Sequence, residues 1–323
     1  MARLNGFQQL CIVTCVVIFG LIVLGGVVRA TDSGDGCPDW PLCHGKLIPE
    51  ADKHTLIEYS HRATASVAGG LVLAILIWSW RSYRNVPRIF YPAVITFLLV
   101  LFQAGLGGAA VLNDLAAEIV MVHLGTALFI LAILALITTT AIDHGRDRSG
   151  DRPLTRPRVA AGTGRIALIA SLGTLSIMLL GAYVAVADYA LACSGWPLCN
   201  GEVFPGSSAT SIQINYHHRM FAGLLGLLIL ALAWLTWRQR REAPLAFVLS
   251  MTAVGLYGAQ VMIGAANIWT QVADEVSAAH LAFGSLLWLS LAVLNIRIHG
   301  LYEWLPDSSG QPARRDLAPG MTP

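Results

Sequence analysis

Eight apolar stretches govern what this chain can fold into. They run at about 8–28, 62–80, 89–112, 119–142, 164–187, 218–237, 243–268 and 276–297, and what charge they carry sits at their ends. Crossing a hydrocarbon core of roughly 30 Å takes about 20 apolar residues in a helix, so each stretch is long enough to span. The sequence therefore predicts an all-α integral membrane protein of eight transmembrane helices. A composition that is 55% hydrophobic and only 12% charged excludes a soluble domain.

Charge between the stretches orients them. With the N-terminus inside, only Arg29, Lys46, Lys53, Arg62 and Arg219 of the 21 Lys and Arg fall on the outer side. The positive-inside rule then predicts a multi-pass protein of the cytoplasmic (inner) membrane with both termini cytoplasmic. Topology also accounts for the net charge of +2, so no nucleic-acid partner is implied. Val28-Arg29-Ala30 loosely resembles a signal cleavage site, but the repeat counterpart of the first stretch lies mid-chain at 164–187, which argues against a signal peptide.

The chain repeats itself. Gly25-Gly26-Val27-Val28 matches Gly181-Ala182-Tyr183-Val184, and the Cys37–Cys43 segment CPDWPLC matches CSGWPLC at Cys193–Cys199, both at an offset of 156. Beyond it the offset is 157, aligning His61 with His218, Gln103 with Gln260, Gly107 with Gly264 and His123 with His280. Four helices per unit keep both copies in one orientation, so two parallel-repeat four-helix bundles are expected, related by an axis along the membrane normal. The predicted organisation is an N-terminal bundle at 1–142, a cytoplasmic linker at 143–163, a C-terminal bundle at 164–299 and a disordered cytoplasmic tail at 300–323.

The repeated histidines carry the chemistry. Each falls near the outer start of an even-numbered helix, so all four are expected at one depth, with His61 facing His123 and His218 facing His280 across a bundle core. Imidazole pairs of this kind ligate haem iron from both sides. Zinc would want further ligands at each site, and none repeats. Small residues at 105–110 and 264–266 would admit either a flat macrocycle or a close helix neighbour. His44, His54, His144, His217 and His299 do not repeat and read as loop, surface or flanking residues.

Cys37/Cys43 and Cys193/Cys199 lie in outer loops, an oxidising compartment, and two intraloop disulfides are expected, either as staples or as redox groups. Cys11 and Cys15, one turn apart, read as buried small residues. Arg62 and Arg219 follow their histidines and would either pair with haem propionates or snorkel. Glu58 shares a helix face with His61 and Arg62, and its counterpart is Asn215, which cannot take a proton. A carboxylate one turn from a haem-ligand candidate can serve as a base; alternatively it is an acid favoured at a helix N-terminus. The N-terminal half therefore looks reactive and the C-terminal half looks like a stable redox centre.

Together, Glu58-x-x-His61-Arg62, His123, His218-Arg219 and His280 on eight helices with Cys-x5-Cys outer loops resemble the haem A synthase family, over about 8–298. The resemblance implies haem b held by His218 and His280. It implies haem O as substrate at the N-terminal site, with Glu58, His61 and His123 as the catalytic set. The reaction implied is oxidation of the haem O C8 methyl to formyl, through hydroxymethyl and hydrated aldehyde. It also implies a lipid-embedded oxidoreductase of terminal oxidase biogenesis whose partners are a haem O synthase and oxidase assembly factors, with a homo-oligomer possible. Two other classes stay open: a di-haem quinol cytochrome, disfavoured by the single histidine depth, and a membrane thiol-disulfide carrier needing no haem.

Overall fold

The structure is a computed structural model that describes residues 4–148, 157, 159–206 and 209–300. Among these residues it contains eight long helices: α1 Gly6–Ala30, α2 Lys53–Tyr83, α3 Pro87–Leu112, α4 Ala117–Arg148, α5 Ala161–Val186, α6 Thr210–Arg238, α7 Pro244–Trp269 and α8 Asp274–His299. All eight are long and apolar enough to cross a membrane, and no strand is formed among the described residues. The chain is thus an eight-helix, all-α membrane protein. The 149–156 part of the expected linker and the 301–323 part of the expected tail lie outside the described residues.

Local chemistry sets the helix ends. Asn5 and Gln8 form a reciprocal capping box at the start of α1, satisfying two backbone donors at once. Pro87 and Pro244 stand in the first turns of α3 and α7, where a missing N–H costs nothing. α8 ends on Gly300 at φ +56°, a left-handed stop that glycine adopts without steric cost. The helices outrun the predicted spans most clearly at α2 and α6, which begin at Lys53 and Thr210 rather than at 62 and 218. The apolar windows stopped at Arg62 and Arg219; the helices continue through these charges because both arginines have side-chain partners one turn back, described below.

Within the first half, α1 packs on α2 and α4, and α3 on α2 and α4; within the second, α5 packs on α6 and α8, and α7 on α6 and α8. The halves meet through α1, α4, α5 and α8. α8 is the central element, with 61% of its spanning window buried, against 33% or less for any other helix. Glycine permits the closest crossings: a Cβ on Gly26 would stand 2.7 Å from Leu281, and one on Gly125 would stand 3.1 Å from Leu179. Polar ties span the same seam. Trp288 Nε1 donates to the Leu128 carbonyl at 3.2 Å, Arg297 forms a buried ion pair with Asp143, and Arg29 bridges from α1 to the Ala185 carbonyl in the last turn of α5 and to Asp188 just beyond it.

Candidate haem sites

The repeated histidines are set apart from every other histidine by what they do not bind. His44 Nε2 meets the Gly36 carbonyl, His54 Nδ1 meets Ser33, His217 Nδ1 donates to the Gln213 carbonyl, His299 Nε2 meets the Gly164 carbonyl, and the His144 ring packs edge-on against Tyr83. By contrast, Nδ1 of His61, His123, His218 and His280 is buried without a hydrogen-bond partner. The Ile177 carbonyl approaches the His218 ring without making hydrogen-bond geometry. Burying an unpaired polar nitrogen is costly, and its recurrence at four repeating positions makes these rings the candidate ligands.

Packing places the rings as well. Each imidazole edge lies on a glycine of the neighbouring helix. A Cβ would come within 3.1 Å of His61 Cε1 at Gly25, 3.3 Å of His123 at Gly107, 2.9 Å of His218 at Gly181 and 3.0 Å of His280 at Gly264. His61 and His123 lie within electrostatic reach of one another, as do His218 and His280. Within each half the two repeated rings are thus electrostatic neighbours. Gln103, not singled out for chemistry in the sequence beyond its repeat, donates to the His123 carbonyl at 3.0 Å and ties α3 to α4 one turn from Gly107. Among the described residues, no three His, Cys, Asp or Glu side chains converge as a bare ion would need. Two orphaned imidazoles per half fit a haem, whose macrocycle supplies the other four ligands.

Both cysteine pairs are disulfides, Cys37–Cys43 and Cys193–Cys199, while Cys11 and Cys15 are free thiols among the helices. The arginines, expected at propionates or at the interface, have other partners. Arg62 donates through Nε to Glu58 at 2.7 Å and through its two terminal nitrogens to the carbonyls of Cys37, Asp39 and Leu42. Arg219 does the same with Asn215 and the carbonyls of Cys193, Gly195 and Leu198. A guanidinium has five N–H donors in a fixed fork, and a disulfide-closed ring of carbonyls matches that fork. Each arginine thus clamps a disulfide-closed loop onto the helix that carries a histidine.

At this clamp the halves diverge chemically. Asn215 accepts from Arg219 and donates twice, to the carbonyls of Tyr189 at 2.7 Å and Ala190 at 2.9 Å, so the amide is fully engaged in structure. Glu58 is 6% exposed, accepts from Arg62 through Oε1, and takes no hydrogen bond on its other oxygen among the described residues. Arginine fixes one carboxylate oxygen and leaves the second for a ligand or a proton.

Residues 8–292 match the COX15-CtaA family of cytochrome oxidase assembly proteins. The chain belongs to this family. It is 34% identical to the haem A synthase of Symbiobacterium thermophilum over 83% of this chain and 90% of that protein. It is 33% identical to the haem A synthase of Shouchella clausii over 82% and 88%, and 29% identical to that of Alkalihalophilus pseudofirmus over 89% and 95%. As a COX15-CtaA protein, the chain carries its histidine pairs, glycine notches, loop clamps and Glu58 all within the matched region.

Proposed function

We propose that this protein makes haem A from haem O for terminal oxidases, as a membrane oxidoreductase whose two halves divide the work. Haem O is bound as substrate in the N-terminal half, at 1–142, between His61 and His123. Haem b is resident in the C-terminal half, at 164–299, between His218 and His280; when bound, it supplies reversible one-electron transfer. The outer loops and both pairs face the outside, and both termini face the cytoplasm of a cell whose inner membrane holds the protein. A haem O synthase and oxidase assembly factors are the partners this role entails.

The observation that carries the assignment is the free oxygen of Glu58. Oxidising the C8 methyl of haem O to formyl takes up one oxygen atom, as from water, and gives up four protons and four electrons, the electrons to an external acceptor, and it develops positive charge at the porphyrin edge. A buried carboxylate beside that edge stabilises the charge and takes a proton. Arg62 holds the carboxylate in place through its other oxygen, and the disulfide-closed loop in turn holds Arg62. Asn215, whose amide hydrogens are already donated, offers the C-terminal half no such base, in keeping with a cofactor that is retained rather than transformed.

The test is Glu58→Gln. An amide already occupies this helix position in the second half, so the variant should insert and fold, and should still bind haem. It should accumulate haem O or its hydroxymethyl form and make little haem A, read by chromatography and mass of the extracted haems. Near wild-type haem A would remove Glu58 from the chemistry and redirect attention to His61, His123 and Arg62.

A further inference from the structure

Although the two halves share a sequence pattern, they close their outer seams differently. On α7, the Tyr257 hydroxyl crosses to α6 and donates to the Ala222 carbonyl at 2.9 Å. Its ring lies over Gly226, where a Cβ would stand 2.6 Å from Cζ, so only glycine leaves room for it. Ala222 and Gly226 lie one and two turns along α6 from His218, about 6 and 12 Å along its axis. The tyrosine therefore binds the helix bearing one haem ligand to the helix whose Gly264 cradles the other.

At the aligned positions of the first half, Ala65 and Gly69 are kept, but Tyr257 is replaced by Val100. Its Cγ1 would be 4.0 Å from a Cβ on Gly69, a bare van der Waals contact with no polar tie. Two exposed side chains of the second half are also lost: Leu227 and Met262, 65% and 54% exposed, align with Gly70 and Gly105, and a Cβ on either glycine would meet nothing within 4 Å.

We propose that Tyr257 is a latch that keeps the haem of the C-terminal half resident, and that Val100 leaves the α2–α3 seam unlatched as the lateral route by which a lipid-borne, isoprenoid-bearing haem enters and leaves. This rests on the division of labour proposed above. A retained cofactor needs its helices held together in a bilayer, where a hydroxyl-to-carbonyl bond meets no competing water. A substrate and its product must pass between helices at every turnover, and at this level of the α2–α3 seam the Val100 methyl stands in place of the Tyr257 hydroxyl, so parting the helices there breaks no bond of that kind.

The experiment measures haem loss from the purified full-length protein in lipid nanodiscs to excess apomyoglobin. Tyr257→Phe, which keeps the ring and loses the hydroxyl, should release b-type haem roughly 3- to 20-fold faster than wild type, with an unchanged absorption spectrum; Tyr257→Val should release it faster still. Val100→Tyr, for which Gly69 leaves the same space as Gly226, should slow release of newly made haem A while a single turnover proceeds at the wild-type rate. Wild-type release rates in both Tyr257 variants would overturn the latch, and wild-type product release in Val100→Tyr would overturn the route. Wild-type protein that purifies without b-type haem would instead refute the underlying assignment.

Discussion

Replacing Gly181 by alanine tests whether the histidines are seated for a haem. The new Cβ would stand 2.9 Å from His218 Cε1, whereas carbon atoms in contact prefer about 3.5–4.0 Å. The ring must therefore retreat by about 0.6 Å or more, beyond the ±0.2 Å within which metal–ligand distances hold. Overpacking of this kind costs about 1–3 kcal/mol, which at 1.4 kcal/mol per tenfold weakens haem retention roughly 5- to 150-fold. Gly173→Ala on the same helix is the control, because its Cβ would meet Leu225 at an ordinary 3.5 Å. The assay is haem b per protein from the pyridine haemochrome spectrum, with thermal unfolding to verify the fold. Losses should follow the crowding, larger for Gly181→Ala than for Gly264→Ala, where the approach is 3.0 Å. Full haem content in a folded Gly181→Ala protein would refute the claim that these glycines seat haem ligands.

Three further outcomes are expected. Arg297→Leu leaves Asp143 buried opposite a lost cation and should destabilise the detergent-solubilised protein by about 3–5 kcal/mol, with part of that recovered in Asp143→Leu/Arg297→Leu; equal stability of wild type and single variant would remove the pair from the seam between halves. The Asp39 carboxylate is held below its usual range by the backbone N–H groups of Gly45 and His44, so its support is present above the ordinary Asp pKa of about 3.9 and is lost as pH falls through the lowered value. Amide exchange in the Cys37–Cys43 loop, corrected for intrinsic rates, should then rise at acidic pH while the second loop, held by the neutral amide of Asn200, does not change; parallel behaviour of the two loops would count against Asp39. Reporters fused after Arg84 and near Lys46 should read cytoplasmic and external respectively, and the reverse result would overturn the assigned orientation.

Hydropathy determined the eight helices, because a span through lipid must be apolar along its whole length, and that requirement is written locally in the residues. The spacing of His61, His123, His218 and His280 was equally legible, since a repeat preserves positions that share a role. The loss of the carboxylate between Glu58 and Asn215 is legible in the residues alone. The apolar windows begin later than α2 and α6 because Arg62 and Arg219 interrupt them; the helices run through these charges because Arg62 bonds Glu58 and Arg219 bonds Asn215 one turn away, and both bond loop carbonyls more than twenty residues earlier in the chain. That non-local closure is what sequence cannot express: which acceptors reach a guanidinium depends on how the disulfide ring folds back. The same holds for the glycines under the imidazoles, for Gln103 on the His123 carbonyl, and for Tyr257 over Gly226. In each, a side chain on one helix meets a glycine or a backbone carbonyl on an adjacent helix, and only packing decides which residue that is.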